Sequence, residues 1–327
     1  MNSQHLFRCD MQCRNVNSSV DTLRSTIEPP PEHIIVASLQ ELNSLGAIRE
    51  DGTMFHAPSA LTHLLKRWSG SLTDIGIALC AIPVEPRVAL LLLNGSFLGC
   101  LGPLLTFAAA IESRTIFSAG CEPSNASVKG IIGRLAFSDF DAIVSVRNRY
   151  QTALQKQGKA SANKYLDSVH ASGHAVELLE QQRHHLLLAM SGSGLACADS
   201  LDDLNAVARA CIVAAFWPSV GVVSDASGSI TRCNCAQGAA SIQQSCVLVG
   251  TNLPKGAIFT YADAMASANG KVGHPFLNSF LSVDHRVVTE LCIFRFLCLE
   301  SLACHLKRFF CLEKTGHLIL FQALVCC

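Results

Sequence analysis

Thiols, imidazoles, guanidiniums and glycine-rich turns are where this chain could do chemistry. It holds 16 cysteines in 327 residues. A structural metal site needs thiolates or imidazoles at short, repeated spacings. Here Cys9 and Cys13 make CxxxC, Cys233 and Cys235 make CxC, and Cys326 and Cys327 stand side by side, but CxxC does not occur. No metal site is expected. Cys80, Cys100, Cys292 and Cys298 lie inside apolar runs, where a thiol behaves as a small hydrophobe. The cysteines therefore read as reduced and the chain as intracellular, with nucleus and cytoplasm unresolved. His184 and His185 are adjacent, so on a helix they diverge and make a poor metal pair. Ser191-Gly192-Ser193-Gly194 is glycine-rich but lacks the lysine of a phosphate cradle and follows a helical pattern. It reads as a helix terminator. Lys66-Arg67-Trp68 could touch a phosphate backbone, against the simpler reading of a solvated helix end. No catalytic residue and no cofactor of the chain's own are expected.

Composition narrows the classes. The chain is 50% hydrophobic and 15% charged, with Lys+Arg and Asp+Glu both 25. That excludes global disorder. A stand-alone nucleic-acid binder shows a basic excess, so any such role here rests on a local patch or on a partner. The first residues, MNSQHLFRCDMQCRN, carry no apolar signal core. Val88 to Ile111 has no charged residue, but Asn94-Gly95-Ser96, Gly99 and Gly102-Pro103 interrupt it. Those breakers predict two short helices, each too short to cross a bilayer. No membrane partner is expected.

These segments must be positioned by a recognisable order of elements. Residues 1–26 read as an irregular leader. Glu28-Pro29-Pro30-Pro31 is extended, and Pro31 can open a helix through Ile34, Ile35, Leu39, Leu42 and Leu45, capped by Gly46. Ala47-Ile48 and the turn Glu50-Asp51-Gly52-Thr53 follow as strand and turn. Residues 54–70 read as an insertion. Ser138 or Asp139 caps a helix over SDFDAIVSVRNRYQTALQKQ. A polar break at Gly158–Ala162 precedes one long helix, Lys164 to Met190, with Leu166, Val169, Val176, Leu179, Leu186 and Met190 on one face. Asp202 to Phe216 is another helix, stopped by Trp217-Pro218. Beyond it, Val220–Val223, Ser245–Val249, Ala257–Tyr261, Phe280–Val283, Val287–Phe296 and Leu318–Phe321 read as short strands.

Several motifs resemble the C-terminal region of DEAH-box (DEAH/RHA-type) RNA helicases. They are Glu28-Pro29-Pro30, Leu45-Gly46-Ala47-Ile48, Leu72-Thr73-Asp74-Ile75-Gly76, Ile82-Pro83-Val84-Glu85-Pro86-Arg87 and Gly99-Cys100-Leu101-Gly102-Pro103-Leu104-Leu105-Thr106. Phe216-Trp217-Pro218-Ser219-Val220 continues the series. The resemblance spans roughly residues 27–323 and is strongest over 27–111.

It implies an α+β multidomain chain: a partial winged helix over 27–82 with its wing inserted at 54–70, a helical ratchet-like bundle over 83–200, and a small OB-fold-like β-barrel with its leading helix over 201–327. It gives structural roles to Pro83, Glu85, Pro86, Arg87, Gly99, Pro103, Trp217 and Pro218. Arg87 is expected to pair with a carboxylate or cap a carbonyl. Arg147, Arg149 and Arg183 on the bundle, and Arg232 and Lys255 in OB-fold loops, become candidates for RNA phosphate, with a solvated face as the simpler alternative.

The family's ATP and Mg chemistry resides in RecA-like motor domains, whose GxxxxGK[ST] and DEAH motifs are absent from this sequence. Departures also occur where the resemblance holds: Gly102 replaces the family's Asp, and the OB-fold's expected H-P-S-S segment is missing. A gene fragment, a divergent paralogue or an incomplete gene model would all give this pattern. The expectation is an accessory segment that guides single-stranded RNA for a RecA-like motor and is not catalytic alone. The alternative is a non-catalytic interaction module that docks an activator protein at the OB-fold.

Overall fold

The computed structural model describes residues 24–48, 72–113, 116, 138–196, 204–225, 232–235, 238–242, 255, 258–265, 276–278 and 281–283. The chain divides into two compact units, residues 1–81 with 295–327, and residues 82–294.

In the first unit, α1 (Glu32–Ser44) buries Ile35, Val36, Leu39 and Leu42. Pro31 is its cap, with φ −55° and ψ 139°, so the helix starts one residue later than expected. Gly46 sits at φ 72°. Its N–H reaches the Asn43 carbonyl at 2.8 Å and Ala47 N–H reaches that of Leu42 at 2.9 Å, satisfying carbonyls the helix would otherwise leave open. Ile48 then pairs antiparallel with Leu72. The Thr73 hydroxyl caps α2 (Asp74–Cys80), accepting from Gly76 N–H at 3.0 Å and donating to the Gly46 carbonyl at 2.6 Å. The expected insertion at 54–70, with Lys66-Arg67-Trp68, lies outside the described residues.

The uncharged run opens the second unit as two helices, α3 (Pro86–Phe97) and α4 (Leu101–Ser113). Pro86 is the first residue of α3, where a missing N–H costs nothing. Gly99, at φ 67°, turns the chain between the helices. Among the described residues no helix is long and apolar enough to cross a membrane. The charge-free residues are instead buried against protein. α4 packs against α3 and against three helices still to come: α5 (Asp139–Gln157), α7 (Gly173–Gly192) and α8 (Leu204–Phe216). Phe107 of α4 meets Phe140 of α5 edge to face, centroids 5.4 Å apart.

Ser138 caps α5, its hydroxyl accepting from Asp141 N–H at 3.5 Å. The helix expected over Lys164–Met190 is two helices, α6 (Lys159–Ser168) and α7, joined through Val169–Ser172. Leu166, Val169, Val176, Leu179, Leu186 and Met190 are nonetheless all buried. The break is a capping motif like that at Gly46. His170 N–H bonds to the Asp167 carbonyl at 3.2 Å and Ala171 N–H to that of Leu166 at 2.9 Å, with His170 at φ 54°. Glycine normally fills that position because a Cβ is strained there. His170→Gly is expected to raise the stability of the chain by about 0.5–1 kcal/mol, read as a higher urea midpoint.

After α8, a cis Trp217–Pro218 bond leads into the sheet. Its strands are β1 (Val220–Asp225), β2 (Arg232–Cys235), β3 (Gly238–Ile242), β4 (Ile258–Thr260), β5 (Asp263–Met265), β6 (Phe276–Asn278) and β7 (Leu281–Val283). Their order is β5-β6-β3-β2-β1-β4-β7. Every pairing is antiparallel except β3 with β6. Gly221 lies opposite Phe259 in register, and the phenyl ring covers the space a Cβ would need. Helices and a largely antiparallel sheet make the fold α+β. Strands appear where Val220–Val223, Ala257–Tyr261 and Phe280–Val283 predict them. Ser245–Val249, Val287–Phe296 and Leu318–Phe321 lie outside the described residues. β2, β3, β5 and β6 have no counterpart in the expected strands.

Candidate nucleic-acid interface

α5 carries Arg147 and Arg149 two positions apart, so they leave the helix about 200° from one another. Arg147 turns toward α7. Its Nε donates to Glu180 Oε1 at 2.6 Å and its Nη2 to Glu180 Oε2 at 3.2 Å. Gln151 Nε2 adds a third hydrogen bond to Oε1 at 3.0 Å. The pair is partly open to solvent, 19% for Arg147 and 26% for Glu180. Burial alone would raise the Glu180 carboxyl. The Arg147 bond and charge, the Gln151 bond and the Arg183 charge outweigh it and hold the group below its ordinary 4.5.

That direction fixes a sign. A depressed carboxylate contributes stability above pH 4.5 and loses it as pH falls through the folded-state value. Unfolding midpoints of the wild type and Glu180→Gln are expected to differ at about pH 6 and to converge as the pH falls through the folded-state value.

Arg183, on α7, is half-buried one turn from Glu180 and adds positive charge to it. Arg149 is exposed and approaches Tyr165 of α6, whose hydroxyl is pushed up by burial against the opposing effect of Arg149. Lys255 is exposed in a turn. Arg232 was expected in a loop but is the first residue of β2, opposite Asp225 of β1 and Ser241 of β3. Ladder hydrogen bonding continues through RCNC, whose alternation of polar residues with Cys runs for only four positions. The structure thus brings Arg147 and Arg183 together around one carboxylate and turns Arg149 away from them.

The motif residues hold the frame. Arg87 Nη1 donates to the Trp217 carbonyl at 2.9 Å, the carbonyl-capping alternative expected of it. This bond ties the start of α3 to the turn that ends α8. Glu85 is the N-cap residue of α3, and its carbonyl accepts from Ala89 N–H at 2.8 Å. Pro83 is exposed ahead of it, and Pro103 is buried in the first turn of α4. Arg87→Ala is expected to cost about 2 kcal/mol, because a hydrogen bond from a charged donor is lost and a carbonyl is left open. A urea titration followed by circular dichroism reads it.

Three polar groups were not anticipated from sequence. Glu180 and Gln151 complete the Arg147 cluster. Asp141, 9% exposed, takes a 2.7 Å bond from Arg209 of α8. Burial raises the Asp141 carboxyl above 3.8, only partly offset by the Arg209 bond and charge. A signal existed for Asp141, three residues after the Ser138 cap, where a carboxylate commonly serves a helix start. None existed for its partner, 68 positions away. Among the described residues no group of three or more His, Cys, Asp or Glu side chains could hold a metal ion. Cys100 and Cys211 are buried with their sulfurs 3.9 Å apart.

An arginine-bearing helical bundle followed by a β-sheet is the setting in which the sequence comparisons fall. The chain is similar, at low identity, to DEAH-box ATP-dependent RNA helicases. It is 22% identical over 62% of its length to ATP-dependent DNA/RNA helicase DHX36 of Rattus norvegicus, covering 19% of that protein. To ATP-dependent RNA helicase DHX29 of Mus musculus it is 23% identical over 67% of its length, covering 15%. To DExH-box ATP-dependent RNA helicase DExH6 of Arabidopsis thaliana it is 23% identical over 65% of its length, covering 16%. The matches thus span less than one fifth of these relatives. No family model matches the chain.

Proposed function

We propose that this chain is an accessory segment of a DEAH-type RNA helicase, guiding single-stranded RNA for an ATP-driven RecA-like motor that lies elsewhere. The observation that carries this reading is the similarity to DEAH-box helicases over half to two thirds of the chain. In it, residues 27–82 are a partial winged helix, 83–200 a ratchet-like bundle and 201–327 an OB-fold-like domain. Arg147, Arg149 and Arg183 meet phosphate on the bundle, and Arg232 and Lys255 meet it beside the sheet. ATP and Mg belong to the motor, since this sequence carries no GxxxxGK[ST]. The setting is intracellular, nuclear or cytoplasmic.

The test is binding of a labelled single-stranded RNA across a salt series. Affinity is expected to fall with log salt in proportion to the phosphates contacted. Arg149→Gln with Arg183→Gln is expected to weaken binding several-fold for every sequence and to flatten the slope. A chain that binds no RNA, alone or mixed with a motor half, would end this reading. Equal numbers of basic and acidic residues, 25 each, favour a second one: a docking module for an activator protein at the OB-fold-like domain. Its mark is a protein partner recovered in pull-down that survives nuclease.

A further inference from the structure

We infer that Glu180 masks an anion-binding arginine: its carboxylate occupies, from within the fold, the place on Arg147 that an RNA phosphate would take. This rests on the RNA reading above and adds a control to it. A guanidinium presents its Nε–Nη2 edge as a flat fork that fits the paired oxygens of a carboxylate or a phosphate alike. Glu180 fills that edge with both oxygens, and Gln151 steadies one of them.

The pair stands at the surface. α5 and α7 each pack on α4 and touch one another little, and the Arg147 and Glu180 side chains reach across to join them. At 19% and 26% exposure they are open to an ion from solvent. Arg183 adds a second positive charge near the same carboxylate. An incoming phosphate can therefore satisfy the same donors while Glu180 swings to water. The expected device is a competition, in which weak polyanion contacts are refused and a correctly placed phosphate displaces the carboxylate.

The test uses the full chain and a fluorescent oligouridylate of about 12 nucleotides at about 0.1 M salt. Glu180→Gln keeps the shape and one acceptor oxygen. It is expected to bind about three- to tenfold more tightly than the wild type, with a salt slope steeper by about 0.7. Adding Arg147→Gln to that variant is expected to remove the gain. Gln151→Met, which takes one hydrogen bond from the mask, is expected to give a smaller gain of about twofold, and stands in if Glu180→Gln loses its helical signal. A wild type that binds, with Glu180→Gln no tighter, overturns the mask and leaves the RNA reading intact. So does a gain that persists without Arg147. If neither protein binds the oligouridylate, the RNA reading fails and the mask with it.

Discussion

Gly76→Ala is expected to destabilise the unit built on α1 and α2 by about 3 kcal/mol. Gly76 lies in the first turn of α2, under the Thr73 cap. A Cβ there would run into the backbone carbonyl oxygen of Ala47, with the Ala47 carbonyl carbon at 3.1 Å and Leu72 Cδ2 at 3.0 Å. Overpacking against a side-chain tip relaxes by a rotamer change. Overpacking against a backbone oxygen does not, because that oxygen accepts from Thr73 N–H at 3.0 Å. Moving it gives up this hydrogen bond, and shifting α2 instead lifts its own Ile75, Ala78 and Leu79, all buried, out of their packing. Hydrogen exchange at the amides of 77–81 measures the effect locally. Unchanged exchange in the variant would show that α2 does not approach the Ala47 carbonyl this closely in solution.

Phe140→Ala is expected to cost about 4 kcal/mol. The ring is 1% exposed and sits in the second position of α5, against Phe107 of α4. Its loss combines three effects of the same sign: apolar area returned to water, a cavity, and a broken edge-to-face pair. It also loosens the helix start whose next residue, Asp141, meets Arg209. Phe140→Leu refills part of the volume, and about half of the loss is expected to return. A urea titration of both variants, followed by circular dichroism, is the measurement. Equal losses for Ala and Leu would contradict a packing origin.

The helix ends were legible because their chemistry is local. Ser138 before an acidic turn, Gly46 after an apolar stripe, and Gly192 with Gly194 each carry their own cap. Gly194 takes φ 69° and closes α7 with the same paired hydrogen bonds as Gly46. The reading failed at His170 for the same reason. The position demands the left-handed region, and histidine does not announce it. The split of the uncharged run was legible from Gly99, which turns the chain at φ 67° between α3 and α4, whereas Asn94-Gly95-Ser96, also expected to interrupt the run, lies inside α3, and Pro103 lies in the first turn of α4. β2, RCNC, alternates polar residues with Cys over only four positions, and β3, GAASI, lacks the apolar alternation that marks a strand. They are strands because they pair with one another and are flanked by β1 and β6, and β6 lies more than thirty positions further along the chain. The candidate site was half legible. The arginines could be named from the helices they ride on, but Glu180 lies 33 positions from Arg147, and only the packing of α5 and α7 on α4 makes them partners.

The bridge between Ile48 and Leu72 makes the length of the intervening segment a small matter for stability. Residues 49–71 depart and return at one hydrogen-bonded point, so the framework holds the two ends of that segment whatever lies between them. Closure entropy rises only with the logarithm of loop length, and doubling the segment costs about 0.6 kcal/mol. A longer or shorter segment is therefore expected to leave the pairing of Ile48 with Leu72 in place.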